Sequence, residues 1–347
     1  MKERFLKGKE VLKRYDADAF FSPNKVNIRY FTGLDAEGFL LLAQDKIYLF
    51  LSPLYCMLEQ NLEFVEKIVC ENIKAIKQKI KETGVEKIAY DNGELSVVLY
   101  EDLKQNFEMI GVKDEVRKIR MIKDEEEIKK IKRAASIARN AFMNVFPYVK
   151  PGRTEKEIAD ELSYQIRKCG ADREAFPPIV ASGVNTAIPH FTPSDKRIED
   201  GDFVVIDFGA CADGYNSDCT YTLLMGRKTE EKREVYNAVF YAQIHAIEAA
   251  YSGVKASDVD KKARDYLRKL NYDRYFIHST GHGIGLQVHE LPNVSSQSDT
   301  IIEDNMVFTV EPGVYIPGKF GVRLEQMIRI NGKRAEMIAF APFAEAM

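Results

Sequence analysis

Residues 198–209 read IEDGDFVVIDFG, and residues 302–313 read IEDNMVFTVEPG. The strings align without a gap at an offset of 104 residues. Each is an apolar run ended by an acid, Asp207 in the first and Glu311 in the second, with a glycine two residues further on. That pattern predicts a buried strand delivering a carboxylate at its end.

Working outward, the same offset carries a helix expected at 124–147 onto a second amphipathic helix. The first buries Ile128, Ile131, Ala135, Ala138, Phe142 and Val145, and the second Val235, Val239, Ala242, Ala246 and Ala249. Asp124 and Glu127 are spaced as a capping box. Thr154 caps EKEIADELSYQI and maps onto Asp258, beside Ser257 as the expected cap of the matching helix. Each half therefore reads helix, glycine-containing turn, helix, strands, which is a duplicated unit.

Upstream, from residue 17 to about 115, the runs ADAFFS, EGFLLLA, KIYLFLS and EKIAYD alternate with helical stretches such as 73–83 and predict an α/β domain. The opening MKERFLKGKEVLKRY reads as an amphipathic helix with Phe5, Leu12 and Tyr15 inward. The expected domains are 1–120 and 121–347. Composition bounds the class. With 45% hydrophobic and 30% charged residues and a net charge of −3, the chain has material for full cores and no electrostatic reason to bind nucleic acid or anionic membrane. No run spans a bilayer and the amino terminus lacks a secretion signal, so a cytoplasmic protein is expected. Five cysteines without a CxxC pair are expected to be reduced core residues.

Each half supplies a second acid on its next strand, Asp218 in YNSDCTYTLLMG and Glu325 in GVRLEQMIRI. Four carboxylates converging from equivalent positions of a duplicated unit would repel one another and resist desolvation, so cations are required. Three of the five histidines lie in HSTGHGIGLQVHE, residues 278–290. Its glycines suggest sharp turns and close backbone approach. His190 and His289 follow Gly183 and Gly281 at similar distances and are expected to flank the centre as a pseudo-equivalent pair. His282 breaks the symmetry as a fifth ligand. Oxygen donors plus one imidazole suit two divalent ions such as Mn, Co or Zn, in a geometry made for hydrolysis. A kinase reading of DFG lacks its companion motifs, and HELPN at 289–293 lacks the second histidine of HExxH.

At these residues the chain resembles the pita-bread metallopeptidases of the Xaa-Pro branch, aminopeptidase P and prolidase. YFTGL at 30–34, DFGACADGYNSD, HSTGHGIGLQVHELP, TVEPGVY and GVRLE carry the resemblance over nearly the whole length. It implies a creatinase-like α/β domain, then a duplicated α+β pita-bread domain with pseudo-twofold symmetry. It implies Asp207, Asp218, His282, Glu311 and Glu325 as metal ligands, and a homodimer. The expected activity is Xaa-Pro aminopeptidase on a proline-containing peptide, with Xaa-Pro dipeptidase as the alternative and, behind it, a methionine-type general aminopeptidase or a non-catalytic peptide-binding homologue. Two departures stand out: SDCTYT puts Tyr221 where the family commonly has arginine, and Asn293 follows HELP where some prolidases carry a basic residue.

Within that reading, Glu311 guides protons, while His190 and His289 donate to the substrate or the oxyanion. His278 lines the product pocket, Arg323 orients the carboxylates, and Tyr215, beside Asp218, either closes the site or simply packs. His245 lies off its helix's apolar stripe and is expected at the surface.

Overall fold

The computed structural model describes residues 1–59 and 61–338. The chain divides into two compact units, 1–120 and 121–347. In the first, six strands form one mixed sheet: β1 (Ala19–Ser22), β2 (Gly38–Ala43), β3 (Ile47–Leu51), β4 (Val65–Val69), β5 (Lys87–Asp91) and β6 (Glu108–Val112), in the order β4-β3-β2-β1-β5-β6. β1 sits centrally, antiparallel to β2 and parallel to β5, and all four of its residues are buried. Covered on both faces, the strand does not alternate, and its one polar residue, Ser22, is buried with its hydroxyl donating to Glu94 Oε2 at 2.9 Å. The opening helix, Lys2–Tyr15, buries Phe5 and Leu12 as expected, while Tyr15 is only half-buried.

The second unit is the duplicated, pita-bread one. Its first half contains the helices Glu125–Val145 and Glu155–Lys168 and a three-stranded antiparallel sheet, Ile179–Ser182, Phe203–Phe208 and Cys219–Leu224, with Phe203–Phe208 in the middle. Both helices start in complete capping boxes, Asp124 with Glu127 and Thr154 with Glu157. The second half repeats this with the helices Glu230–Ala249 and Ala256–Lys269 and a five-stranded sheet with Val307–Val310 at its centre.

Backbone hydrogen bonds fix the equivalence. Gly152 N–H donates to Ile198 O and Gly253 N–H to Ile302 O, both at 2.8 Å, and the bridge Thr154–Arg197 is matched by Lys255–Ile301. Thr154 therefore corresponds to Lys255 rather than Asp258, and the last helix starts at Ala256 with Lys255 as its cap instead of Ser257. The connection between the paired helices is three residues shorter in the second half, and the segment leading to the strand restores the register. Loops absorb such changes at little cost.

The halves join edge to edge. Thr222 Oγ1 donates to Arg323 O at 2.7 Å and accepts from Arg323 N at 3.1 Å, and Glu325 N–H donates to Thr220 O at 3.1 Å. Cys70 and Cys211 are core residues and Cys169 and Cys219 half-buried, but Cys56 is exposed, following a turn outside the core.

Candidate metal centre

Both central strands end at the seam between the halves, so their terminal acids meet. Asp207 lies within Phe203–Phe208, Asp218 just before Cys219–Leu224, Glu311 just after Val307–Val310, and Glu325 between Phe320–Arg323 and Gln326–Asn331. His282 is the middle residue of Gly281–Gly283. All five line one cavity of about 380 Å³, together with His190, His278, His289, Arg323, Asn293 and the apolar Phe176, Ile179 and Val288.

The glycines around His282 are needed for close approach. A Cβ on Gly281 would lie 1.9 Å from Thr309 O, and one on Gly283 2.0 Å from Leu291 O. Neither has a positive φ, so the expected sharp turns are not their reason.

The acids crowd one imidazole. His282 Nε2 is 3.6 Å from Asp218 Oδ2 and 3.4 Å from Glu311 Oε1. Its Nδ1 lies 3.1 Å from Gly283 O, a partner that can only accept, so the proton belongs on Nδ1 and the Nε2 lone pair faces the acids. Ligand atoms of Asp218, His282 and Glu325 all fall within 4.8 Å of one another. Asp207 Oδ1 is buried with no hydrogen-bond partner among the described residues. An orphaned carboxylate oxygen beside three further acids and an imidazole lone pair is a donor set that fits divalent cations.

Without such cations three of the four carboxyls are pushed toward their protonated forms. Burial, then Glu325, Asp207 and Glu311, push Asp218 well above the usual carboxylate range. Burial, then Glu311 and Asp207, do the same to Glu325. Burial, with Asp207 adding to it, raises Glu311 to about 7. The cation at hand, Arg323, donates from Nη2 to Asp207 Oδ2 at 2.5 Å and from Nε to Thr220 Oγ1 at 3.1 Å. Thr220 Oγ1 in turn donates to Glu325 Oε2 at 2.7 Å. Arg323 thus orients two of the acids, but one guanidinium cannot neutralise four.

His190 and His289 are both exposed where they line the cavity, and the His289 ring centroid is 4.2 Å from that of His282. The loop carrying His190 is tied down by Glu155, whose buried carboxylate accepts from Ser182 N at 2.7 Å, Asn185 Nδ2 at 3.0 Å and Ser194 N at 3.1 Å. His278 is placed at the cavity and is held more tightly than a lining residue needs to be. Its Nδ1 is 2.8 Å from Ser279 O and its Nε2 2.9 Å from Tyr315 OH. Burial lowers its pKa to about 4. Tyr315 OH also accepts from Arg323 Nη1 at 3.0 Å, which completes a chain from guanidinium through phenol to imidazole.

Tyr315 is the residue that sequence reasoning missed, although it sits in the quoted TVEPGVY. Thr309, in the same string, accepts from His282 N at 3.1 Å and donates to Glu311 Oε1 at 3.1 Å. Of the two readings of Tyr215, packing fits and closing the site does not: it is buried, its hydroxyl donates to Glu127 Oε1 at 3.1 Å, and it is not among the cavity's lining residues. Its partner on the long helix turns it away. Tyr221 is likewise buried, its ring stacked on Phe142 at 4.6 Å. His245 is exposed, as expected.

The fold and the site define a metallopeptidase. Residues 129–332 match metallopeptidase family M24 and residues 4–122 match the creatinase/prolidase N-terminal domain, and the chain belongs to that family. It is 37% identical over 346 residues to the Xaa-Pro dipeptidase of Pyrococcus furiosus, covering 97% of this chain and 98% of that one. Among solved structures, the Xaa-Pro dipeptidase of Bacillus anthracis superposes with a TM-score of 0.94 at 35% identity, covering 98% of each chain. The X-Pro aminopeptidase of Thermotoga maritima gives 0.88 at 36% identity, covering 95% of this chain and 97% of that one. The protein is therefore a metal-dependent hydrolase. No helix among the described residues is long and apolar enough to cross a membrane.

Proposed function

We propose that the protein is an Xaa-Pro dipeptidase, which hydrolyses the bond before proline. The observation supporting this is that four acids and His282 line one cavity whose remaining walls combine histidines with Phe176, Ile179 and Val288. Asp207, Asp218, His282, Glu311 and Glu325 would hold two divalent ions, Mn, Co or Zn, whose Lewis acidity polarises a carbonyl and acidifies water. The remaining work falls to the protein's own groups. The apolar walls receive the pyrrolidine ring. Glu311 takes the proton from the attacking water and passes it to the leaving imide nitrogen. His190 and His289 donate to the oxyanion or to the substrate's carboxylate. Arg323, with Thr220, keeps Asp207 and Glu325 in place.

Dipeptidase replaces aminopeptidase as the leading reading because several relatives matched over nearly their full length bear that name. The aminopeptidase reading keeps one observation of its own: Asn293 lines the cavity, where a basic residue would answer a dipeptide's carboxylate. A length series from Ala-Pro to Ala-Pro-Ala and longer, assayed with Mn or Co, separates the two. The dipeptide should be turned over best, and a preference for longer peptides would return the protein to the aminopeptidases. Asp218→Ala should abolish turnover and lower bound metal. Normal turnover by that variant would remove the metal assignment. The homodimer and the cytoplasmic location belong to the same reading, and light scattering of the purified protein checks the first.

A further inference from the structure

Behind the histidine pair lies a buried ion pair that the proposed chemistry does not use. Lys123 Nζ is 3.3 Å from Glu290 Oε2, and the two side chains are 1% and 3% exposed. Glu290 Oε1 accepts from Gln287 N at 3.0 Å. The carboxylate packs so closely under Gly285 that a Cβ there would lie 2.8 Å from Oε2. It therefore fills the inside of the turn 283–289, whose flanks carry His282 and His289.

That turn lacks a regular ladder to hold it. Gly281–Gly283 pairs with Glu290–Val294, but the register breaks after His282, which faces Asn293 while Gly283 faces Glu290. Lys123 provides an anchor from outside the hairpin. Its N–H donates to Asn305 O at 3.0 Å and Ile122 bridges to Met306, so it is fixed to the segment leading into the central strand that ends at Glu311. A buried ion pair seldom stabilises a fold more than an apolar pair of the same shape, because both charges must be desolvated. What it adds is a defined geometry.

We propose that Lys123 and Glu290 are positioning residues that lock the turn 283–289 so that the His289 imidazole stands against His282 at the cavity wall. The proposal rests on the reading of His289 as a group that faces the substrate. It predicts that the pair can be exchanged for apolar residues with the fold retained and the chemistry impaired.

The test compares Lys123→Met/Glu290→Leu, Lys123→Arg and His289→Ala with the wild type, by kcat and KM on Ala-Pro, metal content per chain and melting temperature. The double variant should keep its metal and its melting temperature and lose kcat roughly 10- to 100-fold. Lys123→Arg should recover much of that loss. Wild-type kcat in the double variant, with His289→Ala impaired, overturns the positioning role and leaves the role of His289 standing. Wild-type kcat in His289→Ala overturns both. If the double variant does not fold, Glu290→Gln carries the same test. A kcat loss at full metal content then supports the proposal, and activity that only tracks the folded, metal-loaded fraction overturns it.

Discussion

At the scale of single residues, the centre depends on hydrogen bonds that decide which lone pair faces inward. His282 turns Nε2 to the acids because Gly283 O occupies its other nitrogen. His278 is half-buried, its pKa lowered by desolvation so that the imidazole is neutral, and it depends on Tyr315 for its second bond. Tyr315→Phe removes one hydroxyl and leaves both His278 Nε2 and an Arg323 N–H without a partner, at a cost of about 1–3 kcal/mol. We expect kcat to fall by roughly tenfold while bound metal is retained, since the hydroxyl touches none of the five acid and imidazole groups. Steady-state kinetics with metal analysis checks this, and an unchanged kcat would reduce Tyr315 to packing.

At the scale of elements, the helix Glu155–Lys168 reaches the site through its first residue. Glu155 gathers donors from both ends of the segment 182–194, and His190 lies within that segment. In the other half Asp260, in the second turn of Ala256–Lys269, accepts from Thr280 Oγ1 at 2.8 Å, so each half uses an acid of its second helix to hold the hydroxyl residue preceding a glycine. Glu155→Ala would strand several buried donors at once, costing about 3 kcal/mol or more. The melting temperature should drop by about 6–12 °C. Turnover should fall with it, as the His190 loop loosens. Calorimetry on the metal-loaded variant would show a drop of under about 2 °C if the network were dispensable.

For the whole molecule, the joined halves store repulsion that cations relieve. Glu311 has a folded pKa of about 7, raised by burial from the ordinary 4.5. A raised carboxyl stabilises the metal-free fold while protonated. That contribution is fully present below about 4.5 and is lost as pH rises through about 7. Asp218 and Glu325 shift in the same direction. The chelated protein should therefore melt progressively lower from pH 5 to pH 8. The gap between metal-loaded and chelated melting temperatures should widen over that range by upwards of about 5 °C. Glu311→Gln should flatten the metal-free profile, and a gap independent of pH would contradict the arrangement of buried acids.

The duplication was legible in the sequence because a strand that must be buried and must end in an acid leaves few choices of residue type. The apolar runs before Asp207 and Glu311 and the paired acids Asp218 and Glu325 are visible without coordinates. So is the odd histidine, His282, between two glycines. Side-chain direction was not legible, because it is set by partners far away in the chain. Tyr215, three residues from Asp218, turns to Glu127, while Tyr315 meets His278 from 37 positions away. The three-residue slip that moved the helix cap to Lys255 was hidden because loops take up insertions without disturbing the strands. By itself the sequence determined which groups carry charge to the seam, since burial and strand period act on neighbouring residues. Only the tertiary structure decided which nitrogen, hydroxyl or carboxylate oxygen each of them faces, since hydrogen bonds are made by whatever the fold brings within 3 Å.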